Sequence, residues 1–350
     1  MTRVKARGED IRRFILEHVE RHPEDISKVV AARFGITRQA VNKHLRRLAM
    51  EGALKNEGRT RGRTYAVTPQ TQWRSDYPIA PGLAEDLVWS NDIKAVMGQL
   101  PDNVMNIWHH GFTEMFNNAI DHSEGNRITV VIDKTAVDTQ MIVMDDGIGI
   151  FRKIQANLNL LDERHAVLEL SKGKLTTDPR RHSGEGIFFT SRMFDDFSIH
   201  SGGVWFSHQY GKQEDWIVEM AKLDGVGTAV FMRLHNHTSR TTKKVFDEFA
   251  DGEDFGFTKT VVPVRLAQYG NDQLISRSQA KRLLARIELF QTVIFDFSEV
   301  HGIGQAFADE IFRVFANEHP KMELHSINAS PEVSRMIARV RGGMAGNGKN

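Results

Sequence analysis

The sequence predicts an α+β protein of several successive domains: a basic helical head, a central domain of mixed helices and strands, and a C-terminal α/β domain. Three observations predict it. Residues 1–70 carry 16 Lys and Arg against 8 Asp and Glu, while the rest carries 30 against 37, so a basic head precedes an acidic body. Apolar residues recur at helical spacing through the first fifty positions. Beyond them, strand-like runs and helix-like runs interleave, with glycine-rich turns between.

Composition bounds the rest. The apolar share of 40% and charged share of 26% are ordinary for a globular protein. The chain has no cysteine, which excludes disulfides, Cys-based zinc sites and thiol catalysis. No apolar run approaches the roughly 18 residues that a membrane span needs. Met1 to Asp10 is charged and lacks the apolar segment of a signal peptide, so the expectation is a cytoplasmic protein without membrane association.

In the head (1–70), Ile11, Phe14, Ile15 and Val19 predict a first helix ended by His22-Pro23. Asp25 is the expected cap of a second helix carrying Ile26, Val29, Val30 and Phe34, with Gly35 as its C-terminal glycine. Thr37 is the expected cap of a third, Arg38 to Met50. Two helices across a short turn form a helix-turn-helix. Ala53-Leu54-Lys55 and Thr64-Tyr65-Ala66-Val67 then read as short strands around a Gly/Arg-rich turn at 56–63. This layout resembles the winged helix-turn-helix family, which implies DNA as partner. Arg38, Gln39, Asn42, Lys43 and Arg46 on the third helix would face base edges. Arg59, Arg61 and Arg63 would meet phosphate or the minor groove. Oligomeric state stays open, a homodimer on paired half-sites being a common form for winged helices.

Residues 71–104 read as a connector, with one amphipathic helix from Leu83 to Leu100 stopped by Pro101. Residues 105–236 carry three pieces in order. A helix from Val104 to Ile120 places Glu114 and Asn118 four apart, on one face. A strand runs into Asp145-Asp146-Gly147-Ile148-Gly149-Ile150. After a long insertion, Gly184-Glu185-Gly186-Ile187 opens another helix, and Val226-Gly227-Thr228 precedes a last strand. Each piece alone is a weak signal, but the ordered set Asn-Ala-Ile-Asp-His-Ser, Asp-Asp-Gly-Ile-Gly-Ile and Gly-Glu-Gly-Ile resembles the boxes of the GHKL ATPase superfamily.

The resemblance implies a Bergerat α/β sandwich that binds ATP with Mg²⁺. It makes Asn118 the Mg²⁺ ligand and Glu114 the general base. Asp145 would accept from the adenine amino group, and Gly147, Gly149 and Thr228 would line the nucleotide. Gly184 and Gly186 would offer backbone N–H groups to phosphate. Residues 151–182 would be a mobile ATP lid, with Lys172, Lys174, Arg180, Arg181 and His182 as phosphate contacts. Glu185, between the two glycines, departs from the usual apolar residue and would be unfavourable beside phosphate unless it points away.

Residues 237–257 read as a linker. In 258–341 strands alternate with helices, which predicts a parallel or mixed sheet. Val293 to Val300 followed by Gly302-Ile303-Gly304 resembles a STAS-like domain, which implies a protein partner and adds a second α/β unit, the third domain of the fold. The phosphorylatable hydroxyl of such domains is missing from the turn His301-Gly302-Ile303-Gly304-Gln305. The tail from 342 to 350 reads as disordered. The combination implies an ATP-responsive, DNA-binding transcription regulator. The alternative is a serine/threonine kinase of the anti-sigma-factor type acting on a STAS-domain partner. ATP hydrolysis and phosphotransfer both stay open at this stage.

Overall fold

The computed structural model describes residues 3–58, 63–175, 184–211, 216–219, 225, 227–250, 256–268 and 273–346. The head folds as expected, into α1 (Arg3–His18), α2 (Ile26–Phe34), α3 (Arg38–Met50) and the antiparallel hairpin β1 (Leu54–Glu57) with β2 (Thr64–Val67). Gly35 ends α2 at φ 61°, a conformation that costs a glycine little, and the Thr37 hydroxyl caps α3 by accepting from Ala40 N at 3.2 Å. Asp25 makes no such cap, because its carboxylate faces His22 Nδ1 at 3.1 Å instead. Ile11, Ile15, Val30, Val41, Leu45 and Leu54 form a core of the head's own. One residue from outside enters it: Val137, in the turn between two strands of the central sheet.

The connector is not a connector. Thr71–Pro78 is a strand, β3, and it forms the edge of the central sheet. Its residues alternate between half-buried and exposed, as an edge strand with one solvated face should. The single helix expected from Leu83 to Leu100 is shorter and interrupted. It runs as α4 (Glu85–Val88), a π turn (Trp89–Ile93) and α5 (Lys94–Met97), with Gly98 closing it at φ 62°.

The central domain packs α6 (Asp102–His122) against a sheet begun by β4 (Arg127–Lys134) and β5 (Asp138–Asp145). Next come α7 (Ile150–Asn157), α8 (Glu163–Lys172), α9 (Gly186–Met193), β6 (Asp196–Ser201), β7 (Val204–Gln209), β8 (Trp216–Glu219) and β9 (Thr228–His235). The strand order is β3-β4-β5-β9-β6-β7-β8, antiparallel throughout. One face of α6 buries Val104, Ile107, Trp108, Phe112, Met115 and Phe116 against that sheet.

The described parts of two segments expected to be loose belong to the core. The insertion after β5 was expected to be a mobile lid, but its α8 is buried continuously from His165 to Lys172. The stretch expected as a linker contains α10 (Thr242–Phe249), capped by Thr241 Oγ1 accepting from Lys244 N at 3.1 Å. Phe246 and Phe249 of α10 pack on Phe189 and Phe188 of α9, tilted in the first pair and edge-to-face in the second, with centroids 4.3 and 5.0 Å apart.

The C-terminal domain is a parallel sheet of β10 (Lys259–Pro263), β11 (Thr292–Asp296) and β12 (Glu323–Ile327), with β11 central. Its helices are α11 (Arg277–Leu284), α12 (Gln305–Asp309) running through a π turn (Glu310–Phe315) into α13 (Ala316–Glu318), and α14 (Pro331–Gly346). Ser276 and Gln279 form a capping box at the start of α11. The tail expected to be disordered from 342 continues α14 to Gly346, and 347–350 lie outside the described residues. One apolar core runs without interruption from Val88 to Val340, so the central and C-terminal domains are packed as one body. Phe257 joins them, 4.5 Å from Phe188 on one side and 5.2 Å from Phe290 on the other. Among the described residues no helix is long and apolar enough to cross a membrane.

Candidate nucleotide site

The three glycine-rich or acidic pieces converge on one cavity of about 360 Å³, within the size range of small-molecule sites. Glu114, Asn118 and His122 reach it from α6, Asp145 from the end of β5, Gly184 and Gly186 from the start of α9, and Thr228 from the start of β9. Val143, Val230, Ile150, Ile154 and Leu170 supply apolar walls.

The two adjacent acids of the second box have different tasks. Asp145 is buried, and its Oδ1 accepts from Gly147 N at 2.9 Å and Thr228 N at 3.2 Å. Burial raises its carboxyl from the ordinary 3.8 to about 6, against the opposing pull of those backbone donors. Asp146 turns away and accepts from Asn126 N at 2.7 Å and Arg127 N at 3.0 Å, and the Asn126 bond above all holds its pKa below the ordinary carboxylate value. Asp146 therefore braces the loop after α6, while Asp145 presents a carboxylate to the cavity.

The glycines are required by close backbone approach. A Cβ on Gly147 would strike the Ser123 carbonyl, which accepts from Ile148 N at 2.9 Å. Gly149 has φ 90° and opens α7, whose first amide, Ile150 N, donates to Thr228 Oγ1 at 3.0 Å. A Cβ on Gly186 would run into the Glu114 carboxylate, so the glycine lets that carboxylate lie against the first turn of α9. Gly184 has φ 72°, and its carbonyl accepts from Leu175 N at 3.1 Å. Glu185 does not line the cavity. Burial raises its pKa, against the opposing charge of Lys174.

Two lysines expected at phosphate are elsewhere. Lys172 is 1% exposed, with Nζ 2.7 Å from Glu169 Oε1 and 2.8 Å from the Ala285 carbonyl of the C-terminal domain. Lys174 donates to the Leu289 carbonyl at 3.0 Å and lies over the Phe290 ring. Both tie the insertion to the C-terminal domain, because a buried ammonium needs acceptors and that domain supplies them. Arg180, Arg181 and His182 lie outside the described residues. The sequence reading missed Lys153, which lines the cavity from α7. Its spacing from Gly149, one turn into α7, was the signal that could have found it.

On the head, Arg38, Gln39, Asn42, Lys43 and Arg46 are all exposed along the outer face of α3. Burial, then Arg12 and Arg47, lowers the pKa of neighbouring His44, as a locally positive surface would. Arg63 is half-buried, whereas Arg59 and Arg61 lie outside the described residues. In the C-terminal domain, Ser298, the hydroxyl nearest the expected turn, donates to Asp296 Oδ1 at 2.8 Å.

Residues 105–238 match the family described as histidine kinase-, DNA gyrase B- and HSP90-like ATPase, and residues 279–334 match a STAS-like domain of unknown function. The central domain is thus a histidine-kinase-like ATPase domain, and ATP is the ligand its family binds. The head lies outside both matched ranges. No curated protein and no solved structure is a significant match to the chain.

The cavity fits that ligand. A buried acceptor among apolar walls suits a purine carrying an amino group. At the α6 end, the Asn118 amide and the Glu114 carboxylate suit a cation shared with phosphates. Among the described residues no group of three His, Asp or Glu could hold a metal ion on its own.

Proposed function

We propose that this protein is an ATP-responsive regulator, in which Mg-ATP at the central cavity sets the position of a DNA-binding winged head and the state of a STAS-like domain. The carrying observation is strand β5. Asp145 at its C-terminal end lines the cavity, and Val137, just before its N-terminal end, is buried in the core of the head. Eight residues of strand, about 25 Å, connect the two as one stiff element. Gln70 N donating to the Lys134 carbonyl at 2.6 Å and His235 Nε2 lying 3.5 Å from Glu17 Oε1 add contacts at the same end. ATP can shift the head only if it binds the two arrangements with different affinity, and this strand is where such a difference would be carried. The exposed Arg, Gln, Asn and Lys side chains of α3 support DNA as the head's ligand.

The test incubates purified protein with labelled ATP, alone and with STAS-domain partners, and measures affinity for DNA with and without nucleotide. Release of free phosphate together with a nucleotide-dependent change in DNA affinity supports the regulator. Label on a partner supports the kinase alternative instead. Asn118→Ala is expected to reduce Mg-ATP turnover at least a hundredfold and to leave nucleotide-free DNA affinity unchanged; turnover at the wild-type rate would overturn the metal assignment. The slope of DNA affinity against salt should correspond to several phosphate contacts and fall by about one for each of Arg59, Arg61 and Arg63 removed.

A further inference from the structure

We propose that Lys153 is the residue with which this cavity senses the phosphates of its nucleotide, and that Glu124 holds it in reserve when no nucleotide is bound. The inference rests on the ATP reading above and concerns the same site.

Among the described residues lining the cavity, Lys153 is the one lysine or arginine, and it stands against two carboxylates, Glu114 and Asp145. A polyphosphate brought into such surroundings needs a cation from the protein as well as its metal, since buried like charges are costly. The lysines expected to supply it, Lys172 and Lys174, are committed to the C-terminal domain.

Position agrees with charge. The Lys153 ammonium donates to the His122 carbonyl at 2.8 Å and to Glu124 Oε1 at 2.8 Å. His122 follows Asn118 by one turn of α6, about 6 Å along the axis, so the ammonium waits within a side chain's swing of the residue assigned to Mg²⁺ and phosphate. The present pairing is a weak one. The Glu124 side chain is 60% exposed against 19% for Lys153, and exposed ion pairs contribute little. A phosphate with more than one negative charge and three acceptor oxygens can displace that carboxylate. Glu124 sits at φ 58°, an uncommon conformation for a residue with a side chain, directly after the helix that carries Asn118.

The experiment is calorimetric titration of the full chain with adenosine, ADP and ATP, in Mg²⁺ at low ionic strength. Lys153→Met is expected to weaken ADP and ATP at least tenfold while leaving adenosine within a factor of two, and Lys153→Arg to restore most of the loss. Glu124→Gln, which releases the ammonium, is expected to tighten ADP and ATP several-fold without changing adenosine. Equal weakening of adenosine and ADP by Lys153→Met would mean that the residue only packs α7 against α6, and would overturn the proposal. So would ADP affinity left unchanged by Lys153→Met, where the wild-type protein binds ADP. Failure of the wild-type protein to bind any of the three would bring down the ATP reading itself, and this assignment with it.

Discussion

Asp145→Asn is expected to give a protein that melts higher than wild type at pH 7.5 and binds ATP about a hundredfold more weakly. The stability part follows from burial. The Asp145 carboxyl has its pKa raised from the ordinary 3.8 to about 6, so at neutral pH the folded protein holds a carboxylate that would be better solvated in the unfolded chain. A raised folded-state pKa gives stability that is fully present below the unfolded value and lost as pH climbs through the folded one. The window is therefore pH 3.8 to about 6, and above it the nucleotide-free protein bears the whole cost, roughly 2–3 kcal/mol. An asparagine carries no charge, and its Oδ1 can keep the bonds from Gly147 N and Thr228 N. The expected gain is about 3–5 °C in Tm at pH 7.5, shrinking to nothing below about pH 4. A variant that melts no higher than wild type at pH 7.5 would show that Asp145 is not an uncompensated buried charge.

The binding part follows from the same atoms. With Oδ1 retained by the two backbone donors, the Asn amide turns its NH₂ toward the amino group of adenine, donor against donor. Flipping the amide moves the same clash to Gly147 N and Thr228 N. Either way one buried donor is left unpaired, at roughly 3 kcal/mol. In wild type, an adenine amino group donating to Asp145 favours the ionised form. ATP should therefore bind best above pH 6 and release protons as it binds near that pH, which titration in buffers of different ionisation enthalpy would detect. On this assignment the site would keep an unfavourable carboxylate because the ligand needs it, a common exchange of stability for function.

Much of this site was legible because its residues are fixed by backbone geometry. Gly147, Gly149 and Gly186 stand where a Cβ would strike a carbonyl, a hydroxyl or a carboxylate, and such positions leave a sequence little choice. Glu114 and Asn118 could be placed on one face from spacing alone. What stayed illegible depends on partners distant in sequence. β3 reads as a polar connector because only one of its faces meets the core, and nothing local says that β4 lies beside it. α8 reads as an exposed lid because it is rich in charge. Its Glu169 and Lys172 are buried only because they neutralise each other against a domain more than a hundred residues away. Lys153 was hidden by its location inside a segment already read as lid.

That buried pair carries the second large expected effect. Glu169→Ala should destabilise the protein by about 3–5 kcal/mol, the usual consequence of leaving a buried charge without its partner. Lys172 is 1% exposed, and burial already pulls its pKa down. Its remaining acceptors, the Ala285 carbonyl at 2.8 Å and the Arg282 carbonyl at 3.3 Å, are neutral. Arg286, whose NH1 lies 3.3 Å from Glu169 Oε2, would lose the same counter-charge. A double variant, Glu169→Leu with Lys172→Met, removes both charges at similar volume and should recover most of the loss in urea denaturation, so the two substitutions should couple strongly. If the single and double variants are equally unstable, the pair is not a compensated charge and the loss comes from packing. The double variant also separates stability from signalling. Leu170 and Leu175 line the cavity on either side of this anchor, while Lys172 and Lys174 between them grip the C-terminal domain. ADP should slow hydrogen exchange in α11 of the wild-type protein. In a folded double variant, where Lys172 no longer grips the carbonyls of Arg282 and Ala285, that slowing should be lost even though ADP still binds. Slowing that persisted there would mean that the shared apolar core, rather than the buried pair, connects the two domains.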